Sequence, residues 1–483
     1  STLLASSAAS DVYKRQTVAR VQKNWKGNTL LGGMVTSVNR ALDQPYLEDF
    51  MVRNAFTAGI DFTQYFKNRL YYIDVKGMLS SLHGSAGAIT ALQNSVAHYY
   101  QRASSADYLG VDPTRRSLTG TGGYVKVGRK GNAKWNFSET FTWSSPGFDL
   151  NDMGYMKETD YLMNETEIMY RQTDIWKIFR YNAFTLSQKN MWNYGGTPFS
   201  NNASLRWQSM TMNRYEWDVK ETFAWNWLDS RLLRGGPDVR FGSYFLTSAK
   251  FNTDKAKRMM FMLKYEGDHN FEGNRFNTIS PSLTFRLGNH VYLSGQLDYA
   301  WNTDEMQYVA TTSPLSSSSL TPYYYVMGHM DQKTYGLTLK LQVNVTPDIS
   351  IQFYGAPFTS IAKYDDFKLA ADTKSHTFEN RFQRIDPDHL TYADGVYTIG
   401  EGAGQMPFRN PDFRFNEFRS NLVARWEYLP GSTLYFVWEH RMSNRDNWYS
   451  SGWGSNLDRM WGLPATNTFM IKTVSYTHLT LPT

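Results

Sequence analysis

Apolar and polar residues alternate between Thr334 and Gly355. Tyr335, Leu337, Leu339, Leu341, Val343 and Val345 take every second position, and Thr334, Gly336, Thr338, Lys340, Gln342, Asn344 and Thr346 fall between them. Pro347-Asp348 turns the chain, and Ile349, Ile351 and Phe353 resume the alternation against Ser350 and Gln352. Successive strand side chains point to opposite faces, so the pattern predicts a hairpin with one apolar and one polar face. About 9–11 tilted residues cross a bilayer as β-structure, and the first strand of this hairpin offers more.

The unit recurs along the chain. Nineteen candidate strands run from 17–24 to a last one starting near 466, among them 290–302, 334–346, 349–362, 414–428 and 432–442. Tight turns at Lys26, Lys67, Lys130-Gly131, Thr173, Arg214, Asn289, Pro347-Asp348 and Pro430-Gly431 alternate with longer connections such as 82–114, 145–155, 303–333 and 363–413. Outer-membrane barrels show this alternation of short periplasmic turns and longer extracellular loops, whereas a soluble sandwich has no reason to keep it. The expected fold is therefore all-β: a transmembrane antiparallel up-and-down β-barrel, truncated at both ends. The strand at 17–24 runs inward, so an odd number of missing strands would complete an even total of roughly 20 or more.

The alternation also assigns faces. Leu337, Leu339, Leu341, Val343, Leu293 and Leu297 are lipid-facing candidates, and Gln296, Lys340, Gln342, Asn344, Arg419 and Arg425 are lumen-facing candidates. Gly87–Gln101 departs from the pattern. Ile89, Leu92, Val96 and Tyr99/Tyr100 have helical spacing inside a long connection, which reads either as a short helix at the barrel mouth or as a loop with a chance pattern.

Composition agrees with this reading. Aromatics make up 16% of the 483 residues, which suits strands and interface girdles. Mean hydropathy is −0.51, and no apolar run approaches the roughly 18 residues of a transmembrane helix. Barrels escape such scans because half of each strand is polar. With no cysteine, disulfides and Cys-based metal sites are excluded. Lys and Arg are scattered and the formal charge is only +6, so there is no nucleic-acid footprint. Ser1–Gln16 and Val474–Thr483 resemble translated sequencing adapters. The domain expectation is thus 1–16 non-native, 17–473 barrel, and 474–483 non-native.

Several stretches resemble one family. TVARVQKNWKGNTLLGGMVTSVNR (17–40), NAFTAGIDFTQYF (54–66), SLTGTGGY (117–124), SPGFDLNDMGY (145–155) and FRSNLVARWEYLPGSTLYFVWEH (418–440) are similar, in order, to the outer-membrane barrels catalogued as domain of unknown function 5916. The resemblance implies a Gram-negative outer-membrane barrel. Longer members carry a family-9-like carbohydrate-binding module ahead of the barrel. That module lies outside this sequence, so its sugar-binding residues do not transfer.

The search for chemistry yields little. The histidines show no metal-ligand spacing, and solvated or interfacial histidine is the better reading. Asp365-Asp366, Asp386-x-Asp388 and Glu266-x-Asp268 are acid pairs expected in loops or at their edges, without evidence of glycosidase geometry. Asp386, Asp388 and Asp394 lack the regular calcium-loop spacing. There is no G-x-S-x-G elbow, and Ser316–Ser319 is low complexity. Gly120-Thr-Gly122-Gly123 reads as small residues relieving crowding on a curved wall. Phe148–Gly154 is the strongest candidate site, with Phe148, Asn151 and Asp152 as binding candidates. It reads first as an ordered loop folding onto the barrel mouth and second as a ligand or cation contact. Trp192, Tyr194, Trp448 and Trp453 lie in loops, where packing is preferred over ligand stacking. No catalytic residue, cofactor or metal is expected.

The functional expectation is an outer-membrane barrel acting as a channel or surface-binding module, with a link to polysaccharide handling. Its partners would be outer-membrane lipid, lipopolysaccharide, the barrel-insertion machinery and oligosaccharide, with no nucleic acid. The alternatives are an outer-membrane hydrolase using loop carboxylates and a soluble β-rich adhesin.

Overall fold

The computed structural model describes residues 12–42, 44–102, 107–225, 227–288, 290–315, 323–446 and 453–475. In chain order its long strands are β1 (Val12–Trp25), β2 (Thr29–Leu42), β3 (Asn54–Phe66), β4 (Tyr71–His83), β5 (Ser117–Arg129), β6 (Trp135–Ser144), β7 (Tyr161–Gln172), β8 (Phe179–Trp192), β9 (Pro198–Thr211), β10 (Glu216–Trp225), β11 (Tyr244–Asn252), β12 (Met259–Asn270), β13 (Arg275–Leu287), β14 (Val291–Thr312), β15 (Tyr324–Asn344), β16 (Ile349–Ala370), β17 (Phe413–Leu429), β18 (Ser432–Asp446) and β19 (Thr466–Val474). Every neighbouring pair is antiparallel, and with the short Phe382–Arg384 strand beside β16 they form one 20-stranded sheet. All nineteen expected strands are present in the expected order. The fold is all-β, a single up-and-down antiparallel sheet. Among the described residues β1 and β19 are not paired to each other. Val12–Gln16 continue β1 and pair with Val38–Leu42.

The wall is curved. Arg240, between β10 and β11, donates its backbone N–H to Thr373 O at 2.9 Å, beyond β16. Strands lie about 4.8 Å apart, so a flat sheet would separate these elements by roughly 30 Å.

The register fixes the two faces. Val343 is opposite Val291, Leu341 opposite Leu293, and Leu337 opposite Leu297. The row continues through Leu341–Phe353, Phe353–Leu422, Leu422–Trp438 and Trp438–Phe469. On this face Ile60 is 64% and Leu186 56% exposed, an apolar surface that water would not favour and lipid would cover. Glu139 interrupts it, held by Asn164 and by Thr166 Oγ1 at 2.6 Å. The opposite face is polar and cross-linked. Arg206 makes a bidentate pair with Asp218 (2.7 and 2.5 Å), Ser280 donates to Asp298 (2.6 Å), and Thr63 donates to Asp74 (2.9 Å).

Two expectations about extent are corrected. β14, β15 and β16 run 22, 21 and 22 residues, well past 302, 334 and 362, so most of the expected loop 303–333 and the first part of 363–413 are strand. The register slips between Asp304 and Gln307 and between Tyr308 and Ala310. A bulge inserts an unpaired residue and breaks the period of two. Both faces of this extension are also packed. Met306, Met327, Leu233, Val239 and Phe382 form one core, while Val326, Phe367, Leu369, Ile399 and Phe408 form another beneath a small sheet of residues 390–393, 396–399 and 406–409. With apolar side chains packed on both faces, strict alternation disappears.

The helical segment is real but shorter than its pattern. Helix α1 spans Ala86–Gln93, with Ser85 as N-cap accepting from Ala88 N at 3.0 Å. Ile89 packs with Tyr100 and Leu118 above β4 and β5. The chain leaves the helix before Val96, which is 64% exposed.

Candidate functional site

The loop between β6 and β7 lies on the polar face of the wall. Ser145 donates its N–H to Thr121 O (2.8 Å), Thr121 N returns a bond to Ser145 Oγ (2.7 Å), and Phe148 N closes a turn onto Ser145 O (3.0 Å). This seats Gly147 and Phe148 against β5. A Cβ on Gly120 would stand 2.1 Å from Phe148 N, and one on Gly122 would stand 2.5 Å from the Phe148 ring. The small residues of SLTGTGGY therefore make room for the loop. This corrects the reading of Gly120 and Gly122 as relief of crowding on the wall; Gly123 does face the wall, where a Cβ would stand 2.1 Å from Lys76 O. Two of the quoted stretches, 117–124 and 145–155, meet in space.

Beyond Phe148 the loop is fastened by polar contacts. Asp149 is 4% exposed. Its N–H donates to Ser80 Oγ (2.9 Å), and its carboxylate accepts from Asn151 N (2.7 Å) and meets His98 Nε2 (3.0 Å). His98 Nδ1 bonds Pro146 O at 2.9 Å. Asp152 forms an ion pair with Arg40, whose guanidinium also donates to Val52 O at 2.8 Å. Asn151 Oδ1 accepts from Met156 N at 2.8 Å. At the end of the loop Asp160, in the left-handed region at φ +61°, accepts from Arg102 (2.7 Å), the Tyr108 hydroxyl (2.6 Å) and Tyr194 N (3.1 Å). Burial, then the bond to Asp160, pushes the Tyr108 phenol well above its ordinary range. Burial is the main cause that lifts Tyr100 to about 12.

The loop divides two spaces. On its wall side lies a cavity of 460 Å³, lined by Arg20, Asp61, Asp74 and Lys76 and roofed by Leu150 and Met153. On its mouth side a groove of 780 Å³ is lined by Phe50, Val96, Tyr155, Lys157 and Arg231, with the Arg40–Asp152 pair at its edge. The charged cavity floor and the half-apolar groove are suited to polar and amphipathic solutes respectively.

The three binding candidates all belong to this loop. Phe148 is buried against Gly122, Asn151 caps Met156, and Asp152 holds Arg40. The register places Gln296, Lys340, Gln342, Asn344, Arg419 and Arg425 on one face and the six leucine and valine candidates on the other. Gln296 bonds Asp298 (2.9 Å), Arg419 pairs with Glu417 (2.8 Å) and Arg425 with Glu427 (2.5 Å). Asp365-Asp366 and Glu266-x-Asp268 lie within β16 and β12 rather than in loops. Asp386 Oδ1 caps Asp388 N at 3.0 Å. Ser316–Ser319 and Trp448 lie outside the described residues. Among the described residues no three His, Asp or Glu groups converge as a metal site would require.

Sequence reasoning missed His98, Asp160 and Arg381. His98 is 2% exposed, so the reading of the histidines as solvated fails for it. Its only local signal is the apolar company of Val96, Tyr99 and Tyr100. Arg381, 1% exposed, binds Glu272 through both terminal nitrogens (3.0 and 2.8 Å) and Arg240 O (2.7 Å), contacts made across more than a hundred residues of sequence.

The family model for DUF5916, a domain of unknown function, matches residues 81–479. The chain belongs to that family. Among solved structures, the siderophore receptor PirA from Acinetobacter baumannii is similar over 93% of this chain and 74% of its own, at 9% identity and a TM-score of 0.39. No curated protein matches.

Proposed function

We propose that this chain is an outer-membrane β-barrel that admits or binds polar solutes at a mouth narrowed by the Ser145–Asp160 loop. The observation that carries this reading is the division of the wall. An apolar face suits lipid, while an ion-paired polar face is overlaid by one ordered loop with space on both sides. The short turns would face the periplasm and the long loops the exterior, with lipopolysaccharide around the rim and the barrel-insertion machinery required for assembly. Oligosaccharide is the finer solute class, supported by the exposed Tyr155 ring beside the charged Lys157 and Arg231 of the groove.

Fractionation and planar-bilayer conductance test the reading. The full chain is expected in the outer-membrane fraction, with heat-modifiable gel migration. Gly120→Ala is expected to displace Gly147-Phe148, because the added methyl would strike loop backbone, and to raise single-channel conductance. A chain recovered as soluble protein, or a variant that inserts with unchanged conductance and unchanged oligosaccharide block, would reject it.

A further inference from the structure

The end of the wall that carries the short turns is chemically unlike the rest. Lys26, Lys67 and Arg214 sit in the left-handed region at φ +47°, +46° and +60°, at the tips of turns that project from the sheet. Just inside them, cations lie over aromatic rings. Lys23 Nζ is 5.1 Å from the Trp25 ring, Lys67 and Arg129 are 5.7 and 6.0 Å from Tyr71, and Lys177 is 5.0 Å from Trp176. Trp25, Trp135 and Trp176 are 41%, 55% and 49% exposed. Carboxylates are few at this rim, and two of them are committed: Asp174 to Lys134 at 3.1 Å and Glu216 to Lys255 at 2.5 Å. Among the described residues no carboxylate lies within ion-pair distance of Lys23, Lys26, Lys67, Lys177 or Arg214. The loop end is different, because its cations are largely matched: Arg40 to Asp152, Arg102 to Asp160, Arg381 to Glu272 and Arg414 to Asp446.

We propose that the short-turn rim of β1–β10 is a binding collar for the phosphate headgroups of anionic phospholipids. This rests on reading the chain as membrane-spanning. The exposed rings continue the apolar band and would sit at the headgroup level, where aromatic side chains partition. The cations beyond them then meet the phosphate layer, where each basic group near an anionic surface adds attraction. An unpaired cation held over a ring keeps its position without losing its charge to a carboxylate. Phosphatidylglycerol, with net negative charge, fits this collar. Phosphatidylcholine, whose choline cancels its phosphate, does not.

The test uses the full chain in vesicles of equal phosphatidylglycerol and phosphatidylcholine. Spin-labelled forms of each lipid report their relative association with the protein by electron paramagnetic resonance. A phosphatidylglycerol preference of about threefold or more is expected. It should fall toward about one in the combined variant Lys23→Gln, Lys26→Gln, Lys67→Gln, Lys177→Gln and Arg214→Gln, and persist in the loop-end control Arg115→Gln with Arg116→Gln. The preference of the unaltered chain should also weaken in molar salt, where the Debye length falls to about 3 Å, so a poorly folding variant leaves the proposal testable. An inserted chain with no preference between the two lipids, or a preference indifferent to both salt and the five substitutions, overturns the collar alone. A chain that does not insert overturns the membrane reading beneath it.

Discussion

The loop end of this protein is built in two ways. Over β4–β8 the Ser145–Asp160 loop is a thin layer fastened to the wall by single polar bonds, among them Asp149 to Ser80 and His98, and Asp152 to Arg40. Over β14–β16 the strands themselves continue outward. They bury Met306, Val326 and Met327 completely in two apolar cores, with Arg381 as the main polar clamp. The first region can be released one bond at a time. The second is a small hydrophobic domain fused to the wall, and its loss should be cooperative. A barrel that must open is served by the first arrangement, and one that must present a fixed surface by the second.

Arg381→Met is the sharpest way to break this contrast. Removing one member of a buried pair leaves the other uncompensated, and such losses run to about 3–5 kcal/mol. The variant is expected to lose residues 371–384 to limited proteolysis and to unfold at lower temperature, while the 145–160 loop stays protected. Equal proteolysis of both loops would show that the two regions are not independent.

Asp149→Ala should act on the other side with a smaller effect. It leaves His98 Nε2 and Asn151 N without their acceptor, a cost of about 1–3 kcal/mol for the buried imidazole. Proteolytic cuts are expected between 150 and 157 with little change in global unfolding. Conductance should rise as it does in Gly120→Ala. If the β14–β16 extension clamped by Arg381 opens instead, the proposed division of labour is wrong.

The contrast also explains what the sequence made legible. The wall was readable because one face is apolar and the other polar, so Leu337 to Val343 and their partners keep strict alternation. The fastened loop was readable as a place, since Asn151, Asp152 and Gly154 are turn residues in a compact run. Its attachments were not, because Ser80, His98 and Arg40 are supplied from other elements. The β14–β16 extension was hidden. Its bulges at Asp304–Ala310 break the period, and residues buried on both faces look like neither a strand nor a helix. The glycines of 117–124 were visible as small residues, but their purpose depended on knowing that Gly147-Phe148 lies opposite.

Alkaline titration probes the tyrosines beneath the fastened loop. Burial raises Tyr100 to about 12 and drives Tyr108 up, with Asp160 adding to the effect, against an unfolded value near 10. Their contribution to stability is therefore complete below pH about 10 and is lost as pH rises through the folded values. Tyrosinate absorbance is expected to show a late-ionising fraction that moves toward ordinary tyrosine behaviour in Asp149→Ala. A single ordinary transition in the unaltered chain would mean that Tyr100 and Tyr108 are not sequestered.

The smallest effect sharpens the same region at its outer edge. Asp112 accepts from the Thr114 hydroxyl (2.7 Å) and Thr114 N (2.9 Å), which hold its carboxyl below the usual range. A depressed carboxylate contributes stability above its unfolded pKa and loses it as pH falls through the folded value. Thr114→Ala removes the first of these bonds and should move the Asp112 titration, followed by carboxyl NMR, up toward that of a free aspartate. Helix α1 should stay docked, because buried Gln93 bonds the backbone of Asp112 twice, to its carbonyl at 2.9 Å and from its N–H at 2.8 Å. If the substitution instead frees α1, the attachment runs through the exposed carboxylate, and the helix belongs with the releasable loop rather than with the wall.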